Sequence, residues 1–99
     1  MVNKWITFTV APENSDDFAK ALDVLERESS AEDGCVYYAV YKVKDTEGRF
    51  TVLESWASKD AFEAHRVAPH IAEFKGQCGS MILEKSALEL TPIAQETQK

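Results

Sequence analysis

The chain begins with the alternation of a strand and continues with the spacing of a helix. In segment 4–10, KWITFTV, the even-numbered residues from Ile6 onward are apolar, and aromatic or hydroxyl residues alternate with them. Residues 14–17, NSDD, suit the amino end of a helix. An apolar stripe follows at helical spacing, formed by Phe18, Leu22 and Leu25. We therefore predict a strand that ends before Pro12 and a helix that ends near Ser30.

A hairpin and two short helical segments are predicted next. Segments 35–43 and 49–56 are rich in β-branched and aromatic residues, and the polar turn KDTEG joins them. Ser58 can cap a helix that begins KDAFEAH. Pro69 does not suit the interior of that helix but is favoured in a first helical turn. PHIAEFKG, residues 69–76, is therefore predicted to form a separate helical segment after a bend.

The remaining residues complete an α+β fold. Gly76 and Gly79 bracket the exit from the last helical segment, and residues 80–90, SMILEKSALEL, are predicted to form the last strand. The resulting order, β-α-β-β-α-β, is that of a ferredoxin-like fold, with an antiparallel sheet and both helices on one face. We predict a single domain over residues 1–91 and a polar C-terminal tail over residues 92–99.

One face of the predicted sheet has no helix to cover it. In CVYYAVYKV, odd-numbered and even-numbered positions both include apolar or aromatic residues, so neither face of this strand is simply polar. One chain supplies helices for only one of these faces. A second sheet from an identical chain can cover the other. We therefore predict a homodimer whose two sheets pack into an α/β barrel.

Composition and charge exclude several classes of protein. The chain has 99 residues, 44% of them hydrophobic and 28% charged, as is typical of one small soluble domain. Its net charge of −6 and scattered basic residues argue against a nucleic acid partner. It has neither an apolar run that could span a membrane nor the apolar segment of a signal peptide, so we expect a cytoplasmic protein. Cys35 and Cys78 are expected to be reduced thiols.

The only two histidines of the chain lie in one short segment, EAHRVAPHIAEF. Imidazole has a pKa of about 6.5, so His65, on a helix face, could take a proton from a phenol or an α-hydroxy ketone. The alternative is that His65 packs against the sheet and hydrogen-bonds a backbone carbonyl. His70 would lie in the first turn of a helix, where the dipole favours a neutral imidazole that could act as a base or a donor. Its alternative role is to cap the bend.

Polar residues also occur among apolar ones in the second strand of the hairpin. Glu54 and Trp56 alternate with Phe50 and Val52, so all four can face a single cavity. A buried carboxylate needs a partner, so Glu54 either pairs with a histidine or faces solvent at a sheet edge. No metal site is predicted, because the histidines lack the i, i+4 spacing of a helical metal pair and no cluster of carboxylates or cysteines adjoins them in sequence.

Residues 34–74 resemble the antibiotic biosynthesis monooxygenase (ABM) family, and the resemblance extends over about residues 3–90. The most specific part is E-x-W, a histidine nine residues after the tryptophan, and a Pro-His pair; here these are Glu54, Trp56, His65, Pro69 and His70. Members of the family share a dimeric ferredoxin-like α/β barrel. Quinol monooxygenases of the YgiN type and LsrG-type isomerases, which act on a phosphorylated autoinducer-2 derivative, have closely similar segments.

Differences at single residues distinguish this chain from two other branches of the family. In haem-degrading members, a Trp and an iron-binding His stand where this chain has His65 and Lys75, so haem degradation is not expected. Members that oxidise aromatic polyketides have an Asn and a Tyr where this chain has Val52 and Phe62. The pair of histidines matches the quinol-oxidising and isomerase branches better.

The resemblance implies a monooxygenase that uses dioxygen and no cofactor on a small electron-rich aromatic compound. His65 would be the base, supported by His70 or Glu54. The residues that would contact the substrate are Trp56, Val52 and Phe62. An isomerase of a phosphorylated compound is the first alternative, and the candidates to bind its phosphate are Lys42, Arg66 and Lys75. The second alternative is a dimer that binds a small hydrophobic ligand without catalysis.

Overall fold

A computed structural model describes residues 1–94 of the chain and shows the predicted order of elements, with the second helix divided in two. The elements are β1 (Val2–Val10), α1 (Ser15–Ser30), β2 (Cys35–Lys42), β3 (Arg49–Trp56), α2 (Lys59–Arg66), α3 (Pro69–Cys78) and β4 (Ile82–Leu90). Single 3₁₀ turns at Pro12–Asn14 and Gly79–Met81 precede α1 and β4. The predicted α+β ferredoxin-like fold is therefore confirmed.

The four strands form one antiparallel sheet in the order β2-β3-β1-β4. The two central strands are thus β3 and β1. Even-numbered residues of both strands face the helices, because Phe8 and Phe50 each lie in edge or tilted ring contact with Phe18 of α1, at centroid distances of 5.4 and 5.2 Å. Phe74 of α3 joins this cluster at 5.6 Å from Phe18. The apolar stripe predicted for α1 therefore forms the centre of the core.

Local signals explain where the helices begin. The Ser58 hydroxyl accepts a hydrogen bond from the Ala61 N–H at 3.1 Å, which caps α2 as predicted. Pro69 is the first residue of α3, where its missing N–H costs no helical hydrogen bond. Gly34, with φ of +80°, lies so close to α2 that an added Cβ would be 2.5 Å from the Cβ of Ala61. Glycine at this position lets the loop before β2 approach α2.

Two predicted boundaries were wrong by a few residues. Helix α3 continues to Cys78, so Gly76 lies inside it instead of marking its exit. A single helical glycine costs about 1 kcal/mol, and burial of Phe74 and Cys78 on the same helix offsets that cost. Because a 3₁₀ turn follows α3, the last strand begins at Ile82 and not at residue 80. Most of the predicted C-terminal tail lies outside the described residues.

In the described part of the chain, residues 1–94, the second face of the sheet, which we call the open face, has no helix over it and has an apolar row across its centre. The strand register places Trp5 between Leu53 and Leu88, and Leu53 is in turn paired with Ala39. Trp5 and Leu88 are 44% and 56% exposed. Tyr37 is also exposed. Within residues 1–94, no helix is both long and apolar enough to cross a membrane.

Candidate active site

One carboxylate joins the two histidines. Glu32 lies in the loop between α1 and β2, and its Oε2 atom is 2.6 Å from His65 Nδ1 and 2.8 Å from His70 Nε2. His65 is on the buried side of α2, with 4% of its surface exposed, and His70 is in the first turn of α3. A carboxylate only accepts hydrogen bonds, so both of these ring nitrogens donate.

These contacts determine the tautomer of His65. With Nδ1–H donated to Glu32, the neutral ring keeps its lone pair on Nε2. The ring stacks at a tilt on Trp56, with centroids 4.3 Å apart, and lies 5.7 Å from the ring of Tyr38. Its position and orientation are therefore fixed by aromatic neighbours as well as by the carboxylate. A histidine held in this way can act as a general base through Nε2.

Glu54 lies beside Nε2 of this histidine. Its Oε1 atom is 3.8 Å from His65 Nε2 and accepts a hydrogen bond of 2.8 Å from the Trp56 indole N–H. Burial raises the pKa of Glu54, whereas the indole N–H and the nearby His65 and Lys4 oppose that increase. Of the two alternatives for Glu54, exposure at a sheet edge does not occur, because β3 is a central strand and Glu54 is only 3% exposed. Its pairing with a histidine is the observed alternative.

Two other titratable groups near this pair remain protonated. Burial raises the pKa of Tyr38 far above its ordinary value, with Glu54 as a further cause. Burial also raises the pKa of the Cys35 thiol, and the carboxylates of Glu32 and Glu54 add to that effect. A neutral phenol and a neutral thiol are poor bases and poor nucleophiles at neutral pH. His65 is therefore the best-placed base in this part of the molecule.

A cavity of about 300 Å³ opens between the sheet and the helices next to His65. Its volume is at the small end of the range for small-molecule sites. Its lining includes both aromatic and titratable residues, among them Phe8, Tyr38, Glu54, Phe62, His65 and Phe74. A flat ring in this cavity would therefore contact both apolar surface and the predicted base.

The predicted catalytic residues occupy two different positions. His65 and Glu54 line the cavity. His70 does not; it contacts Glu32 from the far side and borders a separate groove between α1 and α3. In the described residues, the side-chain hydrogen bond of His70 runs from Nε2 to Glu32, whereas the alternative role as a cap would require one to the bend before α3. The structure thus places His70 where it can hold Glu32 and not where it could touch a ligand in the cavity.

The residues predicted to contact substrate are also divided. Phe62 of α2 lines the cavity. Trp56 and Val52 are almost fully buried in the core and are not among its lining residues. They face the helices, as strand alternation predicted, but they belong to the buried core and not to the lining of the cavity. Trp56 reaches the site only through its contacts with Glu54 and His65.

The cationic candidates are similarly separated. Arg66 and Lys75 line the cavity, whereas Lys42 is at the end of β2 beside the hairpin turn. Lys4 and Lys85 also line the cavity, and the sequence analysis missed both. Strand alternation contained the signal for Lys4, which has the same parity as the buried Phe8 of β1. Glu32 was missed as well, and nothing in the loop sequence SSAEDG distinguishes it from a surface acid.

Glu32 and the two histidines also form a candidate set of metal ligands. Within residues 1–94, Glu32, His65 and His70 form the one group of three whose ligand atoms, all within 4.8 Å of one another, could hold a metal ion. No metal site was predicted, because the two histidines lack i, i+4 spacing and no carboxylate cluster adjoins them in sequence; folding nevertheless brings the Glu32 carboxylate to both. The two hydrogen bonds satisfy these ligand atoms without a metal. The absence of a metal cofactor remains a prediction.

Fold and site together define a small α+β domain with a carboxylate-oriented histidine beside a ligand-sized cavity. The sequence profile of the antibiotic biosynthesis monooxygenase family matches residues 1–77. The chain therefore belongs to the antibiotic biosynthesis monooxygenase family.

Individual relatives agree with this assignment. The chain is 28% identical over 81 residues to Rv0793 of Mycobacterium tuberculosis, a proposed monooxygenase, and the match covers 82% of this chain and 79% of that protein. The solved structure of Rv0793 superposes with a TM-score of 0.85 over 93% of this chain and 94% of the other, at 27% identity. A family member from Nitrosomonas europaea gives a TM-score of 0.89 at 16% identity, covering 94% and 99% of the two chains, and this likeness supports the fold alone.

Proposed function

We propose that this protein is a cofactor-independent monooxygenase that acts on a small electron-rich aromatic compound, a quinol or a phenol, with dioxygen as co-substrate. The observation that carries this proposal is His65, whose Nδ1–H is bound by Glu32 at 2.6 Å while the ring lines a cavity of about 300 Å³. Family membership and the proposed activity of Rv0793 favour the same reaction class.

In the proposed reaction, His65 Nε2 takes the proton of a substrate hydroxyl. The phenolate then gives an electron to dioxygen, the two radicals combine at a ring carbon, and the resulting peroxide takes the proton back from His65. The ring hydroperoxide then loses the hydrogen on the same carbon as a proton while its O–O bond breaks; this proton and the departing hydroxide form water, and a quinone remains. One oxygen atom enters the product and the other leaves as water. The substrate supplies all four electrons that reduce dioxygen, so this scheme balances without a cofactor.

Glu54 and Trp56 support this base. The indole N–H of Trp56 holds the Glu54 carboxyl 3.8 Å from His65 Nε2, where negative charge on Glu54 stabilises the imidazolium that forms. The aromatic lining of the cavity excludes water from the radical intermediates. The role proposed for Trp56 is therefore to position Glu54 and His65, and Phe62 is the aromatic residue proposed to contact the substrate ring.

The proposal includes a homodimer joined through the open face. Trp5, Leu53 and Leu88 form an apolar row across three strands, and exposed apolar surface of this kind is typical of an interface. It also includes a cytoplasmic location, which the unpaired thiols of Cys35 and Cys78 favour.

An isomerase is the second candidate, and the position of Arg66 and Lys75 on the cavity favours it. The same base would remove a proton next to a carbonyl group, and the two cations would bind a phosphate. This reaction consumes no dioxygen. Oxygen dependence therefore separates the two candidates.

The decisive experiment measures oxygen uptake by metal-stripped protein with a panel of dihydroxynaphthalenes and hydroquinones, and follows isotopic dioxygen into the product. We expect protein-dependent uptake with label in the quinone, and loss of both in His65→Ala. Val67→Ala, at an 83% exposed position just after α2, is the matched control and should retain activity. Uptake no faster than autoxidation would reject the monooxygenase. Ligand-dependent stabilisation without turnover of any substrate would instead indicate a binding protein.

A further inference from the structure

We propose that the cavity binds its ligand through an anionic substituent, a carboxylate or a phosphate monoester, held by Lys75 and Lys85. This inference rests on the proposed function for its location, because it concerns the same cavity. It adds the chemical class of the ligand: a one-ring or two-ring hydroxyaromatic compound with a negative charge at the end away from the hydroxyl that His65 would deprotonate.

The charge of the cavity is opposite to that of the chain. The whole sequence has a formal net charge of −6. The cavity lining nevertheless contains a single carboxylate, Glu54, and four cationic side chains: Lys4, Arg66, Lys75 and Lys85. A cleft that collects one sign of charge attracts ligands of the opposite sign. Positive charge concentrated here, on an acidic protein, points to an anionic ligand.

Two of the four cations already have a partner. Lys4 Nζ is 3.3 Å from Glu89, and an Arg66 guanidinium nitrogen is 3.0 Å from Glu63. Lys75 and Lys85 have no ion-pair partner within residues 1–94. An anion in the cavity mouth would therefore find two ammonium groups whose charge is not yet balanced.

The strand register places Lys85 on the face of the sheet that the helices cover. Lys85 is paired with Phe8 across β1 and β4, and its Nζ lies over the Phe8 ring, 5.8 Å from the centroid. Phe8 is itself part of the cavity lining. The ammonium group is thus held above an aromatic wall of the cavity, while its exposed position keeps it hydrated until a ligand arrives.

The spacing between the base and this lysine limits the ligand. Glu54, next to His65, is paired with Lys4, whereas Lys85 is paired with Phe8, four residues further along β1. Four residues of strand span about 13 Å, and a lysine side chain covers part of that distance. A single ring or two fused rings, with a hydroxyl at one end and an acid at the other, would occupy the space between His65 and Lys85.

The test measures binding under anaerobic conditions by isothermal titration calorimetry, so that no turnover is required. The probes are 2-naphthol, 6-hydroxy-2-naphthoate and 6-hydroxy-2-naphthyl phosphate, which differ only in the substituent opposite the hydroxyl. We expect at least one anion to bind about tenfold more tightly than 2-naphthol at low salt, and the preference to fall as ionic strength rises. The two anions distinguish a carboxylate ligand from a phosphate ligand.

Variants assign the preference to the two lysines. Lys75→Gln and Lys85→Gln should each remove part of it and together remove most of it, while the affinity for 2-naphthol stays unchanged. Lys44→Gln makes the same charge change in the hairpin turn, away from the cavity, and should leave the preference intact. Equal affinity of the wild type for all three probes would overturn the inference, as would an unchanged preference in the double variant.

These outcomes are separate from the test of the proposed function. Oxygen uptake with neutral quinols, combined with no preference for anions, would reject the anionic ligand alone. A preference for anions, combined with no oxygen uptake on the neutral panel or on 6-hydroxy-2-naphthoate and 6-hydroxy-2-naphthyl phosphate, would reject the monooxygenase alone.

Discussion

The two faces of the sheet each depart from the pattern of side chains expected for an isolated domain. The face under the helices contains Glu54, Lys4 and Lys85 among its aromatic residues. The open face has an apolar row centred on Trp5 and Leu88, both substantially exposed. A charged side chain beneath the helices lowers the stability of the fold unless it has a partner. A large apolar side chain that stays exposed does not contribute the stability that its burial would give. The two departures agree with the proposal that the covered face binds a ligand and the open face binds another chain.

The largest effect is expected on the covered face, from Glu32→Gln. The amide oxygen can still accept hydrogen bonds but has no charge to hold His65 in the required tautomer and to stabilise its protonated form. We expect turnover to fall by about 10²- to 10⁴-fold, the range for loss of an orienting carboxylate or a general base. Initial rates of oxygen uptake measure this. Glu28→Gln, at an exposed position on α1, is the control, and an equal loss in both variants would contradict the role of Glu32.

The next effect concerns the open face. Leu88→Arg should place like charges near one another across a two-fold interface, which costs several kcal/mol, or more than 100-fold in the dimer dissociation constant. Sedimentation velocity should then show a dimer for the wild type and a monomer for the variant. Val67→Arg, an equally polar change on the helix side, should remain a dimer. A wild-type monomer at micromolar concentrations would contradict the assigned role of the open face.

Gly34→Ala tests how closely the loop before β2 packs against α2. The positive φ and the 2.5 Å approach to Ala61 should together lower the free energy of unfolding by about 2 kcal/mol. Urea denaturation measures this. Gly76→Ala is the matched control of opposite sign: an added Cβ there meets nothing within 4 Å, and the helix should gain up to about 1 kcal/mol. Ala61→Gly has its own helical cost, so a double-mutant cycle isolates the steric part: Gly34→Ala should cost less in the Ala61→Gly variant than in the wild type.

The smallest effect is a change in the dependence of stability on pH. Burial raises the folded-state pKa of Glu54 above its ordinary value of 4.5, so the stability that its protonated form contributes is complete below that pH and is lost as the pH rises through the folded pKa. Glu54→Gln does not titrate there. The variant should therefore gain stability relative to the wild type between pH 4 and 8, by about 1.4 kcal/mol per unit of pKa shift. A constant difference in urea denaturation across this range would contradict the burial argument.

The order of elements could be predicted because each element has its own local signal. These signals extend over only a few residues of sequence: the apolar stripe that begins at Phe18, the cap at Ser58 and the helix break at Pro69. The end of α3 could not be predicted in the same way, since a glycine at position 76 suggests an exit locally. Burial of Phe74 and Cys78 against the rest of the core decides that boundary.

The site was only half predictable for a similar reason. The sequence pattern led to His65 and Glu54, which the fold brings within 3.8 Å of each other. Glu32 is 33 residues before His65 and has no periodic pattern around it, so only the tertiary structure reveals its contact with both histidines. Trp56 was expected on the cavity because strand alternation gives the face of a residue but not its depth behind other side chains.

The shared oxygen of Glu32 has a consequence for the energetics of proton transfer. With both rings neutral, the group of Glu32, His65 and His70 has a net charge of −1. Accepting a substrate proton at His65, as we propose, would bring this group to zero. The proton transfer from a neutral phenol would therefore leave one negative charge on the phenolate and none on the three side chains. The negative charge would move from the protein to the substrate, and no new pair of separated charges would form.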